Sequence, residues 1–387
     1  MDFEFSEEQK KFQQEVRDFL NKEVTEELIE ETESGRGWQI HTWNFLCKLG
    51  AKGWLAPAVP KEYGGMGSTH VQRIILENEM GYYMAMPGIM VGASIVAPTL
   101  LAYGSEKQRK EYIPRIAKGE IEFALGYTEP EAGSDLASLQ IRAVKDGNDY
   151  IMNGQKVFNT GMHYSQYVWL AARTDPSVSK HRGISLFIVD VNLPGITIRP
   201  LYTMDGERTN EIFYDNVRVP GSQLVGEENR GWHYLTTALA FERNFPISRT
   251  RRIFDGLVDY CKETKRNGRY LSKDPLVRQS LAELKINVEI ADSYVYQVAW
   301  LADEGVVPEW QAAMAKVFGT DLMHHVGNIG IQIMGLYGIL NQDSKWVPLK
   351  GRIEHLYRQA RRRAVTGGTQ EIQRNIIALR GLGLPRG

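Results

Sequence analysis

The stretch Leu125-Gly126-Tyr127-Thr128-Glu129-Pro130-Glu131-Ala132-Gly133-Ser134-Asp135 stands where the chain changes character, and the reading of the fold turns on it. Before it, apolar residues recur at helical spacing among charged ones, as Phe12, Val16, Phe19 and Leu20 do. After it come strings rich in aromatic and β-branched residues: Tyr150-Ile151-Met152, Tyr167-Val168-Trp169-Leu170-Ala171 and Ile184-Ser185-Leu186-Phe187-Ile188-Val189. The dipeptides Asp146-Gly147 and Asn153-Gly154 separate such strings and favour tight hairpins because they tolerate positive φ. From about residue 227 the helical period returns, over roughly 230–266, 274–304, 308–334 and 370–380. Strands grouped between two helical blocks predict an α+β fold with segregated layers. Its parts are an all-α region 1–120, an all-β region 121–226 and an all-α helical bundle 227–387.

Within the first block, residues 5–49 read as an amphipathic helix pair, 60–67 as a Pro/Gly loop, and a helix resumes near His70. A further helix over 106–117 ends at Gly119. Residues 80–105 carry no charge, which at that length could describe a membrane span. Pro87, Gly88, Gly92, Pro98 and Gly104 interrupt the segment, so it is read as a buried helix with a loop. The chain's 387 residues suffice for a large core, and 46 Lys+Arg against 47 Asp+Glu leave no broad basic field for nucleic acid or an anionic membrane. Cys47 and Cys261 fit neither a disulfide framework nor a metal cluster. The acidic start Met1-Asp2-Phe3-Glu4 lacks the basic and apolar regions of a signal peptide, so a cytoplasmic protein is expected.

Familiar chemical signatures are missing: no G-x-G-x-x-G after a strand, no Walker loop, no G-x-S-x-G, no H-E-x-x-H, no C-x-x-C. His324-His325 are adjacent on a helix and face different directions, so no metal is expected. The 125–135 stretch offers backbone N–H groups at Gly positions and the hydroxyls of Thr128 and Ser134, as an anion or heteroaromatic ring requires, although an ordinary Gly-Ser turn has the same composition. Asn153-Gly154-Gln155-Lys156-Val157-Phe158-Asn159-Thr160-Gly161 brings an aromatic face and a hydroxyl close together, suiting a flat cofactor or simply a hairpin.

Taken together these stretches resemble the acyl-CoA dehydrogenase family, nearly end to end. Residues 60–67 are similar to its P-x-x-Y-G-G-x-G loop, and Gly104-Ser105-Glu106-Lys107-Gln108 with Tyr112-Ile113-Pro114 to its G-S-x-x-Q…Y-x-P helix. Thr128-Glu129-Pro130 with Ala132-Gly133-Ser134-Asp135 matches T-E-P-x-A-G-S-D, and Gly368-Thr369-Gln370-Glu371-Ile372-Gln373-Arg374 matches G-T-x-x-I-Q-R. The resemblance implies a helical N-terminal domain, a middle β-barrel or sandwich, a C-terminal four-helix bundle, bound FAD and a homo- or heterotetramer. It places Leu125, Tyr127 and Thr128 at the flavin edge, Gly133 and Ser134 near the pyrophosphate and the acyl-CoA, and Phe158 and Thr160 by the ring. Gln332 and Gly335 match a segment that reaches a neighbour's FAD, and Thr369 and Glu371 match adenosine-side contacts.

The departures from the family pattern bear on mechanism. Where most members have Y-E-G-T, with the catalytic glutamate, this chain has Thr366-Gly367-Gly368-Thr369. A minority carries the glutamate on the first long C-terminal helix before an arginine, and Ala240-Phe241-Glu242-Arg243 occupies that place. The resemblance therefore makes Glu242 the base and the Gly367 N–H an oxyanion donor, with Ser134, Arg243, Thr366, Gly367 and Gly368 against the acyl-CoA. The family's R-x-x-F-G segment has no clean counterpart in Lys265-Arg266-Asn267-Gly268-Arg269, where Arg266 or Arg269 could substitute. Arg361-Arg362-Arg363 reads as a solvated or subunit-facing stripe. The implied activity is α,β-dehydrogenation of a branched, alicyclic or otherwise bulky acyl-CoA, with electrons passing to an electron-transferring flavoprotein. A flavin monooxygenase on the same fold and a non-catalytic subunit of a heteromeric enzyme are the alternatives.

Overall fold

Residues 4–88, 90–242 and 247–385 are described in a computed structural model; for 237–242 the description is of the backbone alone. The helical N-terminal block contains α1 (Glu7–Glu23), α2 (Glu26–Glu33), α3 (Ile40–Ala51), α4 (His70–Tyr82), α5 (Ala97–Tyr103) and α6 (Glu106–Ala117). The strands follow: β1 (Phe123–Gly126), β2 (Arg142–Asp146), β3 (Asp149–Lys156), β4 (Tyr167–Arg173), β5 (Ile184–Asp190), β6 (Ile196–Tyr202), β7 (Arg208–Pro220) and β8 (Leu224–Val225). Then come α7 (Gly231–Glu242), α8 (Ser248–Glu263), the small ribbon β9 (Lys265–Arg266) and β10 (Arg269–Tyr270), α9 (Pro275–Asp303), α10 (Glu309–Met334), α11 (Arg352–Val365) and α12 (Gln370–Ile376).

Local chemistry marks the helix starts. Ser6 with Gln9, Thr69 with Gln72 and Ser105 with Gln108 form reciprocal capping boxes, each satisfying two N–H groups that a helix leaves open. At α9 the Asp274 carboxylate accepts from Leu276 and Val277 N–H while Pro275 takes the first helical position. The main sheet runs β6-β7-β3-β2-β4-β5-β8, with β1 pairing parallel to β4. Asp146 pairs with Asp149, so Gly147 and Asn148 make the expected two-residue hairpin. The apolar runs of β4 and β5 are buried on both faces, and α7 packs on β5.

By packing, the chain divides into two compact units. One gathers residues 25–68 and 87–242, hence α2, α3, α5, α6, the main sheet and α7. The other gathers 1–24, 69–86 and 243–387, so α1 and α4 pack with the C-terminal helices, where α10 contacts α8, α9 and α11. Among the described residues no helix is long and apolar enough to cross a membrane. In the uncharged 80–105 segment, α4 ends at Tyr82 and a π-helical turn, Gly92–Val96, leads into α5.

Several expectations need correction. The N-terminal helix pair is three helices, because Thr25 ends the run after α1 by capping α2 with its hydroxyl. Asn153-Gly154 makes no hairpin: it lies inside β3 at a β-bulge against β7, where Gly154 has φ +146° and a Cβ would strike Ile141. The single helix expected over 230–266 is two, α7 and α8. Helix α11 went unread because Arg361-Arg362-Arg363 masks its buried stripe of Ile353, Leu356 and Ala360.

Candidate active site

In the sheet-containing unit, the 128–134 loop is anchored by a buried ion pair. Lys156, at the end of β3 and fully buried, donates to the Tyr127 carbonyl at 2.8 Å and to Glu129 Oε1 at 2.9 Å. Glu129 also accepts the N–H groups of Gln140 (2.6 Å) and Ile141 (3.0 Å), so its charge is met by three donors. Burial lowers the Lys156 ammonium to about 8, opposed by Glu129. Glu129 and Ala132 exchange backbone bonds of 3.0 and 3.1 Å, closing the loop so that Gly133 and Ser134 stand at the surface.

The segment after β3 is held as tightly. Val157 N–H donates to the Thr128 carbonyl at 2.9 Å, Asn159 N–H to the Asn210 carbonyl at 3.0 Å, and the Asn159 amide to the Leu125 carbonyl. Between buried Val157 and Asn159, Phe158 adopts φ +58° and is 57% exposed. A bulky residue is rarely found in the left-handed region, and such strain persists where surrounding bonds impose it. Those bonds present an aromatic face beside exposed Thr160, whose N–H donates to the Phe158 carbonyl. Of the expected flavin contacts here, Thr128 and Leu125 are half-buried, but the Tyr127 ring packs in the core at 6% exposure.

In the helical unit, Gly367 (φ +67°) and Gly368 (φ +89°) form a turn between α11 and α12. Buried Lys316 of α10 donates to the carbonyls of Thr366 (2.7 Å) and Gly368, and Gln373 Nε2 to that of Gly367 at 3.2 Å. Three carbonyls are thereby tied down, and a Cβ on Gly367 would meet nothing within 4 Å. Thr369 caps α12 through Ile372 N–H, so its hydroxyl serves the helix. Glu371, in the first turn, is held below the usual carboxylate range by its own amide and the Thr369 hydroxyl. At the C-terminus of α10, Gln332 and Gly335 are exposed, and a Cβ on Gly335 (φ +63°) would stand 4.0 Å from the Arg266 guanidinium. Arg266 donates to the Ile333 carbonyl there, while Arg269 donates to the Lys273 carbonyl at 2.6 Å.

Glu242 is the last residue of α7, and its side chain lies outside the described residues, as does Arg243 altogether. Arg361 stacks over the Tyr357 ring at 6.0 Å. Sequence reasoning missed Lys156, Glu129, Lys316 and Asn159 as organisers of the site. Lys316 left the clearest trace, as the one charge in Ala312-Ala313-Met314-Ala315-Lys316-Val317-Phe318. Within the sheet-containing unit, the exposed Phe158, the hydroxyls of Thr128, Ser134 and Thr160 and the open space over Gly133 suit a flat ring bearing a pyrophosphate.

Comparison with known proteins covers the whole chain. The acyl-CoA dehydrogenase N-terminal domain matches residues 6–120, the middle domain 124–217 and the C-terminal domain 229–382. Acyl-CoA dehydrogenase FadE26 of Mycobacterium tuberculosis is 36% identical, over 100% of this chain and 99% of its own length. FadE29 of the same organism is 38% identical, over 98% and 97%. Among solved structures, a steroid acyl-CoA dehydrogenase, Tcur3481-Tcur3483, superimposes with a TM-score of 0.93 at 34% identity, covering 100% of both chains. The ChsE4-ChsE5 complex of Mycobacterium tuberculosis gives 0.92 at 35% identity, again over 100% of both chains.

Proposed function

The chain belongs to the acyl-CoA dehydrogenase family, whose cofactor is FAD, and from that premise we propose that it oxidises a bulky, steroid-like acyl-CoA to the trans-2-enoyl-CoA as one chain of a heteromeric enzyme. Bound FAD supplies the acceptor for the hydride lost from Cβ. Glu242 takes the α-proton: desolvation by the bound acyl chain raises a carboxylate's pKa toward the range that suits a general base. The Gly367 N–H donates to the thioester oxygen as negative charge gathers there, a role for which the turn is set in advance. Lys316 and Gln373 hold that turn through its carbonyls. Thr128, Ser134, Phe158 and Thr160 contact the flavin, Gln332 and Gly335 reach a neighbouring subunit's FAD, and Thr369 and Glu371 serve adenosine-side contacts. Arg243, Thr366 and Gly368 line the acyl-CoA arm, and an electron-transferring flavoprotein or similar carrier is the electron acceptor.

The 366–368 turn carries the substrate reading. Members with a Tyr-Glu pair there fill a wall that this chain leaves as backbone, and nothing lies within 4 Å of a Gly367 Cβ. The steroid reading follows the similarity to the steroid acyl-CoA dehydrogenase Tcur3481-Tcur3483. The heteromeric reading rests on Arg266 and Arg269, both turned to backbone carbonyls of their own chain, so a related chain would supply the missing pyrophosphate arginine. Exposed Leu336, Tyr337 and Ile339, which follow Gly335 directly in the chain, and exposed Trp346 suit a subunit face. Anaerobic bleaching of the flavin-loaded enzyme tests the substrate: a steroid-side-chain acyl-CoA should reduce it faster than butyryl-CoA, and the reverse order would refute the reading.

A further inference from the structure

Glu122 is a buried carboxylate with no part in the chemistry above. It directly precedes β1, where its backbone N–H donates to Gln166 Oε1 at 2.8 Å. Its Oε1 accepts Gly92 N–H at 2.6 Å and Phe123 N–H at 2.8 Å. Gly92 opens the π-helical turn Gly92–Val96, a geometry that stores strain and is frequent at functional sites. The approach is close: a Cβ on Gly92 would stand 3.3 Å from Glu122 Oε1 and 3.2 Å from Ile116 Cγ2. The π turn and the α5 helix that continues it both pack on α7, and the Tyr103 ring at the end of α5 lies tilted against that of Tyr234 of α7 with centroids 4.4 Å apart. Helix α7 ends at Glu242. Glu122, the π turn and α7 all lie in one compact unit.

We infer that Glu122 is a positioning residue for the reaction: by capping the π turn at Gly92 it fixes the brace against which α7 sets the height and direction of Glu242. The inference rests on Glu242 being the base. Without the cap, Gly92 N–H is buried unpaired and the turn relaxes toward regular α-helix, shifting the residues that face α7. A general base misplaced by about 1 Å costs about 10²-fold in rate while leaving binding of the ligand's remote parts intact. Glutamine retains the accepting oxygen, so it preserves the brace where leucine does not.

The flavin-loaded enzyme carrying Glu122→Leu should show flavin reduction by acyl-CoA slowed at least about tenfold, with the acyl-CoA dissociation constant and flavin content within about twofold of wild type. Glu122→Gln should stay within about threefold in rate. Gly92→Ala, which crowds the same contact while keeping the carboxylate, should fall in rate like the leucine variant and provides the test should that variant not fold. Wild-type rates in both Glu122→Leu and Gly92→Ala, or loss of rate in parallel with binding and flavin content, would overturn the inference. Glu242→Gln separates the two readings: if that variant reduces flavin normally, the base assignment fails first, whereas an inactive Glu242→Gln beside a fully active Glu122→Leu sinks the brace alone.

Discussion

Glu242→Gln removes the proton acceptor while keeping size and polarity, so flavin reduction by acyl-CoA should fall by about 10² to 10⁴ with flavin retained; rapid-mixing absorbance measures it, and a rate near wild type would contradict the assignment. Glu122 predicts a different pH signature. Burial pushes its carboxyl up to about 8, against the two N–H bonds that favour the charged form. An acid whose pKa is higher folded than unfolded contributes stability that is full below about 4.5 and is lost as pH rises through about 8. Glu122→Gln should therefore raise Tm relative to wild type at pH 8 and lose that advantage by pH 5, a comparison for thermal melts; an equal difference at both pH values would show that the carboxyl does not titrate there. Neither residue's setting was legible in the sequence. Glu242 was found only through the motif around it, and Glu122 sits in Gly119-Glu120-Ile121-Glu122-Phe123, where alternation does not say that the second glutamate turns inward to meet a backbone N–H 30 residues away.

The elements that build the site make predictions of their own. Lys156 ties the end of β3 to the loop after β1, and Lys156→Met would leave Glu129 buried without its cation. Breaking one side of a buried pair costs about 3–5 kcal/mol, so Tm and flavin content should both drop, and Glu129→Gln added to it should restore part of the loss; if the double variant is no better than the single, the charge is not the cause. The 366–368 turn predicts selectivity. Gly367→Glu must place a side chain at φ +67°, costing about 1–2 kcal/mol of strain, and it refills the open wall. Bulky acyl-CoAs should then lose more kcat/KM than butyryl-CoA does, and an unchanged ratio would refute the open-wall reading. Most long elements were legible because caps and periodicity agree with packing, as at Asp274-Pro275 for α9. Asn153-Gly154 misled because a dipeptide that permits positive φ suits a bulge as well as a hairpin, and cross-strand register decides between them.

For the whole molecule, the order of helix, strand and helix was visible, but the association of α1 and α4 with the C-terminal helices was not. It depends on contacts such as Asn78 to Tyr296 at 3.1 Å and Tyr82 to Asp255 at 3.0 Å, made across 218 and 173 residues, which no local pattern encodes. At this scale the heteromer reading is directly measurable: the chain purified alone should hold well under one FAD per chain, and a homotetramer with one FAD per chain would overturn it. Lys316 beneath the 366–368 turn has a consequence for how such an enzyme changes over generations. The donor assigned to the thioester oxygen is main chain, so apart from proline no substitution at position 367 deletes it; a mutation there alters shape and strain but not the donor itself. The holding lysine sits on a different helix, so the two genetic positions drift independently. A lineage can thus explore new substrates at one codon while the electrostatic core of the reaction is inherited unchanged through another.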